Sequence, residues 1–383
     1  MNKIISFIKR EPVLFAAIVL ALLALIFIRP SPSLCLEAID FRTLAILFSL
    51  MIVIKAFQSQ NYLDSIAARL LRLCKSQRSL YFLLTYLVFF SSMFVTNDVA
   101  LLTFVPITLL IFTRVGMPAL TIVVLETLAA NLGSCITPMG NPQNLYLFSY
   151  YGFSPLEFFA LTAKIAIPSF IILTTIILVL TRKKHGAPQK LEGNVLQTQV
   201  CFVTIDFRTF FYIADFIICL LTVFHVVNYL IMLGFTVVVM LVCNFRLFKK
   251  VDYSLLLTFC GFFIFTKSLS TVQTFSDFIN SMLSTPLKTY ITAIITSQVI
   301  SNVPAALLLS GFTTNGDMLL LGVNTGGLGT LIASMASVIS FKLYNNSQEG
   351  KTPEGRKYFG VFTGYNLALL ILLGIVVFVL TYC

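Results

Sequence analysis

The sequence predicts an all-α protein that crosses a membrane several times. Its 383 residues are 58% hydrophobic and only 11% charged, whereas soluble domains are about 45–50% apolar and about 25% charged. Long apolar runs recur along the chain, and a run of about 17 to 25 residues can span a bilayer as a helix. A water-soluble fold is therefore excluded. The net charge of +11 indicates membrane topology rather than a nucleic-acid partner.

Nine apolar runs are predicted to be transmembrane spans. They lie at residues 11–28, 43–57, 119–150, 158–181, 208–226, 228–245, 254–268, 316–342 and 358–382. Glycine and proline interrupt two of them, 119–150 and 316–342, so we expect broken helices there.

Two further apolar segments, 79–113 and 286–315, are each divided by a polar tip that contains asparagine. The tips read Phe94-Val-Thr-Asn-Asp-Val and Ile300-Ser-Asn-Val-Pro. Each segment could be a pair of crossing helices with a tight turn or a re-entrant hairpin. Because the arms have only about 15 to 17 residues and a polar tip needs protein or water around it, re-entrant hairpins are favoured.

The distribution of Lys and Arg predicts the orientation. Most of them fall on one side when the N-terminus is placed in the cytoplasm, as the positive-inside rule requires. This arrangement makes each hairpin segment begin and end on the same side and places the C-terminus outside the cytoplasm. The hydrophilic stretch 182–205 is then a cytoplasmic linker, and 345–357 is a second plain loop.

The order of elements occurs twice along the chain. A short amphipathic stretch precedes each hairpin, at 63–75 and at 272–282, and is typical of a helix that lies in the membrane interface. We predict a first repeat at 11–181 and a second at 228–382, joined by 182–227, which holds the linker and one connecting span. Because that span is single, the second repeat is inverted relative to the first, which is a common plan of secondary transporters.

Several other function classes find no support in the sequence. The eight cysteines have no paired spacing and there are two histidines, so no metal site is predicted and no resident cofactor is expected, apart from a bound Na⁺. The chain has no phosphate-binding Walker motif, so ATP hydrolysis within it cannot drive transport. An enzyme is disfavoured because no nucleophile and base pair lies at one depth.

Four polar stretches are expected at membrane depth: Thr96–Asp98, Asn131–Asn144, Ser301–Pro304 and Asn324–Thr330. Broken backbone persists in a membrane only where protein or a water-filled cavity surrounds it. Carbonyls freed at the end of a half-helix suit a cation, and the N–H groups at the start of a half-helix suit an anion.

These stretches also resemble each other. Asn131-Leu-Gly-Ser-Cys-Ile-Thr matches Asn324-Thr-Gly-Gly-Leu-Gly-Thr in its Asn, Gly and Thr at equal spacing, and the tip Thr96-Asn97 matches Ser301-Asn302. Close helix packing by small residues is the alternative explanation. With the repeated order of elements, the match favours two related halves.

The motifs in these polar stretches resemble those of a known family. Thr-Pro-Met-Gly-Asn-Pro-Gln-Asn and Val-Asn-Thr-Gly-Gly-Leu-Gly-Thr, together with the Asn-Asp-Val-Ala and Asn-Val-Pro-Ala tips, look like the ion-transporter superfamily. That superfamily includes arsenite permeases, divalent-anion/sodium symporters, citrate carriers and one class of sodium/proton antiporter. The resemblance covers nearly the whole chain. It implies an elevator mechanism, usually in a homodimer.

The divalent-anion branch implies specific ligands. Its hairpin tips carry Ser-Asn-Thr motifs that help to bind sodium and substrate carboxylates. Here Thr96-Asn97-Asp98 and Ser301-Asn302-Val303 stand at those positions, Ser92 and Ser297 match further sodium ligands, and Gly140 matches a loop glycine of the first cation site. Because Asp98 and Val303 replace both threonines, the tips look closer to the arsenite-permease and antiporter branches.

Two acidic residues are candidates for coupling, since intramembrane carboxyls are costly and usually functional. Asp98 could bind a cation or carry a proton, although it could also cap the second arm of the hairpin. Glu126 could relay protons or be a structural carboxyl.

We therefore predict a secondary transporter in the cell membrane that moves a small anion, arsenite-like, inorganic or carboxylate, coupled to H⁺ or Na⁺. Its expected partners are that solute, the lipid bilayer and a second copy of the chain. The alternatives are a cation antiporter of the same fold, with Asp98 and Glu126 exchanging ions, and a channel. The predicted substrate-binding residues are Thr96, Asn97, Asp98, Asn131, Thr137, Asn144, Ser301, Asn302, Asn324, Thr325 and Thr330. The predicted cation-binding residues are Ser92, Asn97, Asp98, Gly140, Ser297 and Asn302.

Overall fold

A computed structural model describes residues 11–61, 76–182 and 206–382, together with Cys74. Helices form the fold in these ranges, as the composition predicts. The first amphipathic stretch, 63–75, and almost all of the linker 182–205 lie outside the described residues, so those two predictions are not addressed.

The first half of the chain contains eight helices within the described ranges. They are α1 (Pro12–Leu23), α2 (Pro32–Ala38), α3 (Phe41–Ser59), α4 (Gln77–Val95), α5 (Asn97–Val115), α6 (Leu120–Ser134), α7 (Pro142–Tyr151) and α8 (Pro155–Leu180). A short π-helical segment, Ala24–Ile28, extends α1. The short helix α2 is absent from the sequence-based prediction.

The second half contains nine helices among residues 206–382. They are α9 (Phe207–Val223), α10 (Tyr229–Asn244), α11 (Tyr253–Leu269), α12 (Gln273–Met282), α13 (Pro286–Ile300), α14 (Asn302–Ser310), α15 (Gly316–Gly326), α16 (Met335–Asn345) and α17 (Tyr358–Tyr382). The axis bends by 104° between α11 and α12, which is the geometry expected where a crossing helix meets one that lies along the interface.

By length and composition, six of the described helices are apolar enough to cross a membrane, or seven if the bent pair α11 and α12 counts as one span. The fold is thus that of a polytopic helical membrane protein. The total of nine crossings stays a prediction, because it also counts broken and shorter helices.

Both interrupted spans are broken where the sequence predicts it. In the first, α6 ends at Ser134 and α7 begins at Pro142, with a short 3-10 turn, Pro138–Gly140, between them. In the second, α15 and α16 flank the matching 3-10 turn Leu331–Ala333. Proline without an N–H group and glycine at positive φ end the regular hydrogen bonding at these points.

Each predicted hairpin is a pair of helices joined through one residue in a rare backbone conformation. Thr96 has φ 69° and ψ 152°, and Ser301 has φ 78° and ψ 154°. This region is almost restricted to glycine, and it costs a residue with a side chain about 1–3 kcal/mol. Surrounding contacts must hold both bends in place, and such strain is typical of functional sites.

The two hairpins differ in length. Both α4 and α5 have 19 residues, more than the arms predicted for the first hairpin, so their length permits a full crossing. The helix α14 has only 9 residues, about 14 Å, and is too short to cross a hydrocarbon core of about 30 Å. A re-entrant path is favoured for the second hairpin and stays a prediction for the first.

The helices pack into two sets. In the support set, α1 and α2 pack on α11, and α3 packs on α9, α10 and α11. In the hairpin set, α4 packs on α6, α13 on α15, α5 on α6 and α16, and α8 on α17. The main packing between the sets is α11 against α14 and α3 against α7. The support set therefore shares a limited surface with the hairpin set.

The segment 345–357 does more than connect two helices, contrary to the sequence-based expectation. The Glu349 carboxylate accepts hydrogen bonds from the backbone N–H groups of Ala119, at 2.8 and 3.0 Å, and of Leu120, at 3.2 Å. A carboxylate at this position satisfies free N–H groups and interacts favourably with the helix dipole. The start of α6 is thus anchored by a distant loop.

Candidate functional site

The two hairpin bends meet at one internal cavity of about 70 Å³. Asn97 and Asn302, the first residues of α5 and α14, both line it, together with Gln143 of α7 and Ser334 before α16. The structure therefore places residues of both tips at one cavity.

Six helices begin at this cavity. Besides α5, α14, α7 and α16, the starts of α1 and α11 contribute lining residues, among them Val13 and Ser254. The N-terminal end of a helix carries partial positive charge and free N–H groups, which favour an anion. Three acidic residues, Glu11, Asp98 and Asp252, line the same cavity, so an anion held there needs a cation or protons to offset them.

Asn131, in α6, connects the first tip to α16. Its Oδ1 accepts from Asn97 Nδ2 at 3.3 Å and from the Ser334 hydroxyl at 2.9 Å, while its Nδ2 donates to the Ser337 hydroxyl at 3.3 Å. All four side chains are buried. The first broken helix is thereby joined to the second.

Asn324, in α15, makes the corresponding contacts with the first broken helix. Its Oδ1 accepts from Asn141 Nδ2 at 3.4 Å, and its Nδ2 donates to Asn144 Oδ1 at 2.7 Å. In the alignment of the two stretches, Asn141 matches Ser334 and Asn144 matches Ser337. Each aligned asparagine therefore contacts the two aligned positions of the opposite half.

The two broken helices are also fastened to their hairpins in the same way. The Thr137 hydroxyl donates to the carbonyl of Met93, at the end of α4. The Thr330 hydroxyl donates to the carbonyl of Gln298, at the end of α13, at 3.1 Å. Both threonines thus bond to their hairpins, and Thr330 is exposed rather than directed into the cavity.

Glycines allow each hairpin to approach its broken helix closely. A Cβ atom on Gly133 would lie 2.1 Å from the Phe89 carbonyl oxygen and 2.6 Å from Ser92 Oγ, and one on Gly326 would lie 2.9 Å from Ser297 Oγ. Ser92 and Ser297 are therefore at matching contacts. Their hydroxyls donate to carbonyls one turn back in their own helices, at 2.8 and 2.7 Å.

The carbonyls freed by the breaks hold hydrogen bonds from side-chain amides. Asn144 Nδ2 donates to the carbonyls of Ser134, Cys135 and Thr137 at 3.4, 2.9 and 3.2 Å. Gln298 Nε2 donates to the carbonyls of Gly326 and Leu328 at 2.7 and 3.0 Å. The sequence predicts that carbonyls at these breaks could bind a cation. In the structure they already accept hydrogen bonds from side-chain amides.

Three further predicted site residues, Gly140, Ser301 and Thr325, contact the broken helices or their hairpins. Gly140 closes the first 3-10 turn, where a Cβ would lie 2.1 Å from the Ser134 carbonyl oxygen. The Ser301 hydroxyl donates to the Ala333 carbonyl at 3.4 Å. Thr325 is fully buried and accepts from the Tyr290 hydroxyl at 3.3 Å, so it supports α13 and does not line the cavity.

Asp98 lies in the first turn of α5 beside the cavity. At the start of α5, it is the Asn97 side chain that accepts a hydrogen bond from a backbone N–H. Its Oδ1 accepts from the N–H of Asp98 at 2.9 Å. Asp98 Oδ1 is shielded from solvent and has no hydrogen-bond partner among the described residues. A helix-cap role does not account for this oxygen.

Asp98 and Thr96 also line a neighbouring cavity of about 140 Å³ between the hairpin and support sets. Lys55 of α3 and Asp252, which precedes α11, face this second cavity. We call it the vestibule.

Glu126 lies apart from both cavities. It is fully buried between α5 and α6, where the Thr108 hydroxyl donates to Oε1, and Oε2 has no hydrogen-bond partner among the described residues. The structure does not bring Glu126 into contact with the other predicted site residues.

Several residues that shape the site are absent from the sequence-based prediction. Asn141, Ser334 and Ser337 would have been found by extending the aligned stretches to Asn144, because the equal spacing continues that far. Lys55 and Gln298 carry no such signal, since each acts through a contact with a distant segment.

Comparisons with known proteins place the chain among transporters. A family model described as citrate transporter matches residues 4–315. An uncharacterized transporter of Methanocaldococcus jannaschii is 34% identical over 337 residues, which is 87% of this chain and 89% of that protein. The inner membrane protein YbiR of Escherichia coli is 29% identical over 348 residues, 87% of this chain and 88% of that protein. The P protein of Homo sapiens is 30% identical over 131 residues, 34% of this chain and 16% of that protein.

The fold and the cavity, with these relatives, define a polytopic membrane protein of the transporter class. The chain belongs to the citrate transporter family, whose model covers most of its length. The resemblance drawn from the sequence motifs is thereby confirmed.

Proposed function

We propose that this protein is a secondary transporter that moves a small anion across the cell membrane, coupled to H⁺ or Na⁺. The observation that carries the proposal is the cavity at which six helices begin and which amide, hydroxyl and carboxyl side chains line. Helix N-termini and amide N–H groups favour an anion, and the carboxyls require a cation with it. The described family, citrate transporter, supports a small anion as the solute.

The proposed architecture is a pair of inverted repeats, residues 11–181 and 228–382. Its support is the reciprocity of the contacts: Asn131 bonds Ser334 and Ser337, while Asn324 bonds Asn141 and Asn144. Such an exchange is the pattern that a two-fold axis produces between related halves. The matching strain at Thr96 and Ser301 supports the same arrangement.

The proposed mechanism is an elevator, in which the hairpin set carries the solute past the support set. The limited packing between the two sets supports relative movement of this kind, because small and partly polar interfaces permit domain motion. We further propose a homodimer with each N-terminus in the cytoplasm and each C-terminus outside it.

Within this mechanism, Asn97 and Asn302 bind the solute from opposite halves, and Asp98 binds the coupling cation. Asn131, Asn144 and Asn324, with Thr137 and Ser301, hold the tips and the broken helices in register. Glu126 is the second candidate for proton transfer.

Uptake into proteoliposomes tests the assignment of the solute site. Citrate, succinate, arsenite, sulfate and phosphate are each offered with and without Na⁺ and with a pH gradient. We expect one of them to be taken up by the wild type, and expect Asn97→Ala and Asn302→Ala each to reduce that uptake at least about tenfold. Asn366→Ala is the matched control, because Asn366 is a buried asparagine of α17 and lies outside the cavity lining. Unchanged uptake and affinity in both tip variants would contradict the site.

A cation antiporter of the same fold is the second candidate. The three acidic residues of the cavity, Glu11, Asp98 and Asp252, favour it. Proteoliposomes loaded with a pH-sensitive dye and free of transportable anion distinguish the two. Dissipation of a pH gradient by Na⁺ alone would establish the antiporter.

A further inference from the structure

An apolar groove lies between α8 and α17 on the surface of the hairpin set. Its volume is about 640 Å³, and ligand-binding clefts commonly have about 300–1,000 Å³. Nine of its ten lining residues are apolar, and the tenth is Lys164. The groove shares no lining residue with the central cavity or the vestibule. Its occupant is therefore distinct from the solute.

The groove has the length of one membrane leaflet. Its residues on α8 extend from Ala160 to Ile172, which is about 18 Å at 1.5 Å per residue. Half of a hydrocarbon core of about 30 Å is about 15 Å. Ile167 and Ile171 are 62% and 58% exposed, so the groove is open to the bilayer along this wall. A lipid acyl chain has the length and the apolar character that fit it.

Lys164 is a charged residue within an apolar span. Among the described residues its ammonium group has no carboxylate partner and donates one long hydrogen bond, to the Thr381 hydroxyl at 3.5 Å. The acidic groups near this end of the groove are engaged at helix starts, Glu157 in the cap of α8 and Asp317 at the Met318 N–H of α15. A charge in a membrane span normally pairs with an opposite charge. Lys164 therefore requires a counter-charge from outside these residues.

The ammonium group of Lys164 lies where a lipid headgroup would be. Its partner Thr381 is in the last turn of α17, which ends at Tyr382. A lysine on a helix also extends toward the helix N-terminus, here the start of α8, and its charge seeks the membrane surface. From this point the apolar lining continues along both helices to Ile172 and Leu372. A charged end followed by an apolar channel matches the polarity of a phospholipid.

We propose that this groove binds an anionic phospholipid, whose phosphate pairs with Lys164 and one of whose acyl chains lies between α8 and α17. The phosphate supplies the counter-charge that Lys164 lacks. A zwitterionic lipid binds less tightly, because its own ammonium group competes with Lys164 for the phosphate. Since α8 and α17 are the last helices of the two proposed repeats, the lipid joins the two halves at the surface of the hairpin set.

Tryptophan fluorescence measures this lipid directly, because the chain contains no Trp. Ile167→Trp in the full-length chain places a single indole at the rim of the groove, and Val238→Trp places one on the exposed face of α10, outside it. Each variant is reconstituted in phosphatidylcholine that contains a small fraction of brominated phosphatidylglycerol or brominated phosphatidylcholine, since bromine quenches indole on contact.

We expect the brominated anionic lipid to bind at Ile167→Trp at least about fivefold more tightly than the brominated zwitterionic lipid, which is the attraction that one lysine near an anionic surface contributes. At Val238→Trp the two lipids should quench equally. The ratio of the two affinities is the readout, so differences in the amount of protein or in its intrinsic fluorescence cancel.

Substitutions of Lys164 in the Ile167→Trp chain test the proposed contact. Lys164→Gln should lower the ratio to about one, whereas Lys164→Arg, which keeps the charge, should preserve it. Lys288→Gln, at an exposed lysine of α13, is the matched control and should also preserve it. Unchanged quenching by brominated phosphatidylcholine in all three variants shows that the helix pair is intact.

Three results would overturn the proposal. The first is equal affinity for the two lipids at Ile167→Trp while Lys164 is present. The second is a preference for the anionic lipid that survives Lys164→Gln. The third is quenching by neither lipid, which would show that another protein surface, such as a second copy of the chain, covers the groove. The measurement needs no solute or coupling ion, so its outcome is separate from that of the uptake assays.

Discussion

The two hairpin tips share a backbone and differ in charge. Thr96 and Ser301 adopt nearly the same strained conformation, and each is followed by an asparagine that lines the central cavity. The third position is Asp98 in the first tip and Val303 in the second. Under the proposed function, the shared geometry serves solute binding by both tips, and the unshared carboxyl serves cation binding by the first tip alone.

The side chains around the third tip residue also differ between the two tips, in charge. Asp98 faces the vestibule with Lys55 and Asp252, whereas Val303 packs into the apolar cluster that contains Phe259 and Phe263. Val303 also lines the central cavity with Glu11, Asp98 and Asp252. At that cavity the second tip therefore contributes an apolar side chain where the first contributes a carboxyl. Repetition of a fold does not require repetition of its ion chemistry.

Making the first tip resemble the second tests this division most strongly. We expect Asp98→Val to reduce gradient-driven uptake about a hundredfold, because the intramembrane carboxyl that would bind the coupling ion is gone. Val303→Thr, which returns a hydroxyl to the second tip, should change uptake less than about threefold. Initial uptake rates in proteoliposomes measure both. Similar losses in the two variants would break the comparison.

Alanine substitution of the two matching glycines, Gly133 and Gly326, should destabilise the protein to different extents. Gly133→Ala forces a Cβ against a backbone carbonyl oxygen at 2.1 Å, while a Cβ in Gly326→Ala meets the Ser297 side chain at 2.9 Å and the Ile294 Cα at 3.0 Å. We expect losses in the free energy of unfolding of about 2–3 kcal/mol and about 1 kcal/mol, respectively, since the closer clash forces the larger displacement. Gly364→Ala, where no atom lies within 4 Å, is the control and should not destabilise. Unfolding of each variant with increasing amounts of a denaturing detergent measures the two losses. A larger loss in Gly326→Ala than in Gly133→Ala would contradict the prediction.

The side-chain amides that bond to the broken helices should stabilise the folded state through these hydrogen bonds. Asn144 donates to three carbonyls and accepts from Asn324, whereas Gln298 Nε2 engages two carbonyls of its broken helix. We expect Asn144→Leu to cost about 2 kcal/mol and Gln298→Leu about 1 kcal/mol, because buried carbonyls lose their donors. Thermal unfolding in one detergent compares them. Equal stability of Asn144→Leu and the wild type would refute this role.

The smallest expected difference concerns how α6 and α15 begin. Glu349 anchors α6 from a distant loop, while Asp317 accepts from the adjacent Met318 N–H at 2.8 Å in the first turn of α15. Glu349→Ala should cost about 1 kcal/mol, and Asp317→Ala about 0.5 kcal/mol. The same unfolding assay decides the ranking, and Glu354→Ala in the same loop should be neutral.

Local signals in the sequence predict the helices and the tips well. Apolar runs, Pro and Gly positions and the Asn-bearing tips place the broken helices and the bends within a few residues, because backbone breaks depend on nearby residues. The assignment of Asn97 and Asn302 to one site was also made from the sequence, because the two tips carry matching motifs.

Contacts between distant segments were not predictable from these signals. Lys55 looks like an ordinary cytoplasmic lysine at a helix end, and Glu349 like a loop residue, until the fold brings each to its partner. Thr325 and Thr330 show the converse, because they lie in the polar motif but bond to Tyr290 and Gln298. Membership in a motif fixes the neighbourhood of a residue and not the direction of its side chain.

The amides of Asn144 and Gln298 have a consequence for the empty carrier. Because they already bridge the carbonyls of the broken helices, both loops are preorganised without any ion. Under the proposed function, solute and cation bind to this preorganised lining and lose little free energy to loop ordering. Amide hydrogens in these two loops should exchange with solvent about as slowly in the ligand-free protein as in the occupied one.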